Sequence, residues 1–91
     1  MKTIILNGAK VKNLSLKGAS KPFGITSYFV WIEDSQTGQN YKMVVRNNNS
    51  AYFDLQNCQS RKTLANIEYH KTNKGSLIIN NAEETNIKWY V

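Results

Sequence analysis

Phe29 and Trp31 stand two residues apart in the most strand-like stretch of this 91-residue chain, Ile25 to Glu33, and the stretch after it, Asn40 to Arg46, carries Lys42 and Arg46. Alternate residues of a strand project from one face. With Asp34 opposite Gln39 around a four-residue loop, Phe29, Trp31, Lys42, Val44 and Arg46 share one face. Tyr28, Val30, Ile32, Tyr41, Met43 and Val45 share the other. Exposed rings set among ammonium and guanidinium groups suit one chemistry well: nucleobases stack on the rings, at about 1–3 kcal/mol per base, while phosphates are held by the cations. Further lysines flank these stretches, Lys17 and Lys21 in the turn-rich segment Lys17 to Gly24, and Lys71 and Lys74 in the segment Lys71 to Gly75.

The net charge of +6 points to polyanionic partners. Its distribution points the same way, since residues 1–32 hold five lysines and no acidic residue. Enzymatic signals are missing. His70 and Cys58 are the only residues of their types, too few for the usual four-ligand zinc site, and His70 near Glu68 fits an ordinary half-exposed strand. Asp34 and Asp54 are isolated, and adjacent Glu83 and Glu84 would point to opposite faces of a strand. Neither a phosphate-binding glycine loop nor a nucleophile motif occurs. The expectation is a protein that is not an enzyme and needs no cofactor or metal.

These residues need a scaffold. Ninety-one residues make one domain, and apolar residues that are β-branched or aromatic, interrupted by Gly, Asn and Ser clusters, predict strands. A first strand over Thr3 to Leu16 changes the phase of its apolar alternation between Val11 and Leu14, which requires a bulge near Lys12 and Asn13. After Asn40 to Arg46, Ser50 is placed to cap one or two helical turns through Ala51, Tyr52, Phe53 and Leu55, with Tyr52 and Phe53 plugging a barrel end. Thr63 to His70 alternates with Ala65, Ile67 and Tyr69 inward. Ser76 to Asn80 and Thr85 to Val91 form one interrupted or two short final strands, ending in the apolar frame Ile87, Trp89 and Val91, with Trp89 in the core. The order predicts an all-β domain spanning residues 1–91, a small five-stranded Greek-key barrel of the OB type with at most one short helix. The lone Cys58, the absence of a membrane-length apolar run and the short apolar start predict a cytoplasmic protein without a membrane span.

Thr63–His70, the Lys- and Asn-bearing turn ending at Gly75, and Ser76 through Ala82-Glu83-Glu84 resemble the fourth and fifth strands of OB-fold single-stranded DNA-binding proteins of bacteria and phages, including the primosomal replication protein N type. Many of those proteins carry a long extension with an acidic tip. This chain stops at Val91 and so resembles the tail-less primosomal or phage-encoded kind. The resemblance implies binding of single-stranded DNA with little sequence preference, in replication or recombination. Bases would stack on Phe29, Trp31 and Tyr41, and phosphates would rest on Lys17, Lys21, Lys42, Arg46, Lys71 and Lys74. Exposed sheet edges would allow a homodimer. Two other readings use the same residues: a protein-interaction module that buries Phe29 and Trp31 against a partner, and an RNA-binding OB domain.

Overall fold

The computed structural model describes residues 2–20 and 24–89, so Lys21 and Val91 lie outside the described residues. Five strands, β1 (Thr3–Ser20), β2 (Ile25–Asp34), β3 (Asn40–Arg46), β4 (Thr63–Lys71) and β5 (Leu77–Lys88), and one helix, α1 (Ala51–Arg61), follow one another in the order β1-β2-β3-α1-β4-β5. The strands close into a barrel in the order β1-β2-β3-β5-β4, the Greek-key connectivity of the OB type. Closure leaves little free edge. Only the parallel β3–β5 seam is thinly paired, through Val44 and Ile78, so the sheet edges invoked above for a dimer are mostly used within the chain.

β1 pairs with two neighbours of the one closed sheet and is interrupted three times along its length. Its first half pairs with β4 and its second half with β2. Against β2 the register shifts between Val11 and Asn13, at the expected bulge, and again between Leu16 and Gly18. Lys12 and Lys17 are the extra residues. The second bulge was not expected, and the strand continues through Ser20 where a loop was predicted. Gly18 and Ser20 are poor strand formers, but pairing with Ser27 and Ile25 supplies ladder bonds that override local preference.

The third interruption, between Leu6 and Ala9, is built on Gly8, which has φ +73°. Its N–H donates to Asn66 Oδ1 (3.1 Å), and its carbonyl accepts the N–H of Ser35 (3.1 Å) and the Ser35 hydroxyl. A Cβ here would sit 3.1 Å from Ser35 Oγ in a left-handed conformation. Gly8→Ala is expected to cost about 1–2 kcal/mol, lowering the thermal midpoint by roughly 4–8 °C per kcal/mol. Calorimetry of the variant beside the wild type checks this.

The β2–β3 hairpin has the register read from sequence, with Trp31 opposite Lys42 and Val30 opposite Met43. The Asp34 N–H donates to the Gln39 carbonyl (2.9 Å), and Asp34 Oδ1 accepts the Gln36 N–H (2.9 Å). α1 runs for three turns rather than one or two. Ala51, Leu55 and Cys58, on one helical stripe, are buried, whereas Phe53 on another side is 59% exposed and does not plug the barrel. Tyr52 does pack on the core, stacked on Tyr28 at 4.6 Å between ring centroids. Ser50 makes no capping bond. Asn49 takes that role: its Oδ1 accepts the Ala51 N–H (3.0 Å), while its Nδ2 donates to the Asn80 carbonyl (3.1 Å), tying the start of α1 to β5 across the thin seam.

Inside, Val11, Val30, Ile32, Met43, Val45, Ala65, Ile67 and Ile79 fill the barrel, with Leu55 and Cys58 contributed by α1. β5 is one continuous strand whose Ala82 pairs with Ile67 in β4. Its end leaves the core: Ile87 is 61% exposed and Trp89 is half-buried rather than a core residue. Burial pushes the Cys58 thiol above its ordinary pKa, and burial followed by the neighbouring Tyr41 and Asp34 raises that of the Tyr69 phenol. Both groups therefore hold their protons in the fold at pH values where the unfolded chain releases them. Their contribution is intact well below about pH 8.5, where free cysteine is half ionised, and is lost as pH rises through that value to the raised ones. The urea midpoint is expected to hold level near neutrality, to begin falling as pH approaches that point and to go on falling above it, with Cys58→Ala removing the earliest part of the decline. Urea titrations from pH 7 to 10.5 measure it.

Candidate nucleic-acid interface

The outward face of β2 and β3 gathers the residues that the sequence placed there. Phe29 is half-buried and Trp31 is 41% exposed, and their ring centroids lie 6.5 Å apart with planes inclined by 47°. Lys42 rises between them, its ammonium 4.7 Å from the Phe29 centroid and 5.6 Å from that of Trp31. Lys17, released from pairing by the second β1 bulge, comes within 5.9 Å of Phe29 from the other side. Cation–π attraction of this kind contributes about 0.5–1 kcal/mol at exposed sites, enough to bias flexible lysines toward the rings without fixing them. Trp31 Nε1 points to the Ser15 hydroxyl at 3.5 Å, where β1 passes beside β2.

Beyond Phe29 the face opens into a hollow of about 430 Å³ between β3 and the β4–β5 hairpin, lined by Lys17, Ser27, Arg46 and Lys74 among others. A second hollow, of about 340 Å³, joins Phe29 and Lys42 to Lys74 and Leu77. Lys17, Lys42 and Lys74 thus converge on Phe29 from β1, β3 and the hairpin, and Arg46 lies further along the same face in the hollow it shares with Lys17 and Lys74. Lys71 ends β4 and lines neither hollow. Tyr41 stands apart from the pair. Opposite Ile32 on the inward face, it packs on the core with its ring 6.4 Å from that of Tyr69.

Sequence reasoning missed a second group. The Trp89 ring is approached by Lys10 at 5.6 Å, Lys12 at 5.5 Å and Lys62 at 5.1 Å, while Glu33 pairs with both Lys10 and Lys12 at 3.5 Å. The outward phase of Lys10 beside buried Val11 was the one available signal. Long-range pairing brings in the others, since Lys62 ends α1 in a left-handed conformation and its carbonyl accepts the Trp89 N–H (2.9 Å). The Trp89 Nε1–H is buried and meets no acceptor among the described residues.

Fold and surface together define a small OB-type barrel with a basic, aromatic patch on its β2–β3 face, the face on which such barrels bind oligonucleotides and oligosaccharides. Comparison with protein-family models, with curated proteins and with solved structures found no match.

Proposed function

We propose that this protein binds single-stranded nucleic acid, with DNA as its ligand, through bases stacked on Phe29 and Trp31 and phosphates held by Lys17, Lys42, Arg46 and Lys74. The observation that carries the reading is Lys42 seated over both rings of an aromatic pair whose outer member is 41% exposed. Cations interleaved with rings favour an anionic chain of flat units over a neutral oligosaccharide. Little sequence preference follows, because every base offers a π-face. The reading extends to a non-enzymatic role in replication or recombination, in the manner of OB-fold single-stranded DNA-binding proteins, and to a cytoplasmic setting suited to the single free Cys58. No helix among the described residues is long and apolar enough to cross a membrane.

Competition against a fluorescently labelled oligo(dT) strand tests it. Unlabelled oligo(dT) and mixed-sequence single strands are expected to displace the label at similar concentrations, and duplex DNA only at much higher ones. Equal competition by duplex would reduce the interaction to general charge attraction. Preferential displacement by the matched oligo(rU) strand would reassign the ligand to RNA, through contacts to the 2′-hydroxyl.

A further inference from the structure

Three lysines gathered on one ring repel one another, and the repulsion is only partly relieved. Glu33 supplies a single carboxylate to Lys10 and Lys12, and Lys62 forms no ion pair among the described residues. The cluster therefore keeps a surplus of positive charge beside a half-buried indole. Its position matters as much as its charge. Glu33 follows Trp31 by two residues on the same outward face of β2, about 7 Å further along the strand, and Lys12 reaches Glu33 from the first bulge of β1. The Lys17 and Lys74 hollow adjoins the Phe29 end of the aromatic pair, and this cluster adjoins the Trp31 end.

We propose that Lys10, Lys12 and Lys62, collected around Trp89, form a second phosphate-binding site that receives the backbone of the strand as it leaves Trp31. Glu33 is the internal anion that an incoming phosphate displaces. The lysines already occupy the surroundings of the ring, so the indole serves here as a seat for cations, and stacking of bases stays with Phe29 and Trp31. Glu33 consequently acts against binding: it occupies two ammonium groups and repels the approaching phosphate. The inference rests on the single-strand reading above for its ligand, but the cluster can be interrogated separately.

In a Trp31→Phe variant, Trp89 is the only tryptophan. Titrating that variant with inorganic tripolyphosphate is expected to shift Trp89 emission saturably, at a midpoint that rises with salt. Adding Lys12→Gln and Lys62→Gln should abolish the response, and adding Glu33→Gln instead should tighten it several-fold. The gain from Glu33→Gln is diagnostic, because general damage to the fold would weaken binding. In the wild-type background, the paired lysine substitutions should lower the salt slope of oligo(dT) binding by about 0.7 for each phosphate no longer held. Trp89 emission that ignores tripolyphosphate, or a Glu33→Gln variant that binds no more tightly, overturns the site. A normal tripolyphosphate response with an unchanged oligo(dT) salt slope overturns the strand path across it. If the wild type fails to bind oligo(dT) at all, the stacking reading and the strand path fail together, and the tripolyphosphate titration still reports the anion site by itself.

Discussion

Replacing Phe29 and Trp31 together by alanine is expected to weaken oligo(dT) binding by about 2–6 kcal/mol, two stacked bases at about 1–3 kcal/mol each, while costing the fold only about 0.4–2 kcal/mol for the two outward cross-strand pairs lost. The two halves of this expectation come from the same geometry. Both rings lie on the outward face of the β2–β3 hairpin, opposite the Val30, Ile32, Met43 and Val45 core, so their removal opens no cavity in the barrel. Lys42 loses its seat over both rings, which also makes the remaining cations less well placed. What binding survives should come from the cations alone and fall steeply with salt, as counterion release requires. Fluorescence anisotropy at several salt concentrations, with calorimetry of the variant in parallel, separates these effects. A variant that binds as tightly as the wild type would remove the rings from the interface. One that loses binding and most of its stability together would make them structural residues.

The second large effect concerns the fold. Leu55 is fully buried at the inner stripe of α1, between Ala51 and Cys58, both small and both fully buried. Neither neighbour can extend into the space that Leu55 occupies. Leu55→Ala is therefore expected to cost about 2–5 kcal/mol, against a total of roughly 5–14 kcal/mol for a domain of this length. Urea unfolding followed by tryptophan fluorescence should show a much lower midpoint with an unchanged slope. A shift within the range of surface substitutions would mean that α1 is not part of the barrel's cooperative core. Because Leu55 lies away from Phe29 and Trp31, oligo(dT) affinity measured well below the variant's transition should match the wild type.

How much of this was legible in the sequence depended on whether local and long-range signals agreed. The β2–β3 register was readable because the alternation around Trp31 and Lys42 and the turn residues from Asp34 to Gly38 specify the same pairing. The first β1 bulge was readable because Val11 and Leu14 are out of phase with each other. The second was hidden, since Lys17 is followed by Gly18, Ala19 and Ser20, which carry no apolar phase to be broken. The length of α1 was obscured by the polar run Gln56-Asn57-Cys58-Gln59-Ser60, in which the one inward residue, Cys58, looks like part of a loop. Tyr41 followed its register inward, and the aromatic type alone had suggested a stacking role that the face does not support geometrically. Trp89 was expected in the core from its spacing to Ile87. The register shifts in the β4–β5 ladder and the carbonyl of Lys62 instead carry it to the lysines of β1.

The central claim, that bases stack on the exposed aromatic pair, is tested most directly with a Trp89→Phe variant, in which Trp31 is the only tryptophan. Oligo(dT) added at low and at moderate salt is expected to quench Trp31 deeply, duplex DNA to quench it little, and a salt-resistant part of the single-strand quenching to persist. Trp31 emission that stays unchanged while oligo(dT) binds, or quenching that vanishes entirely with salt, would contradict the account and leave only a charged surface on the barrel.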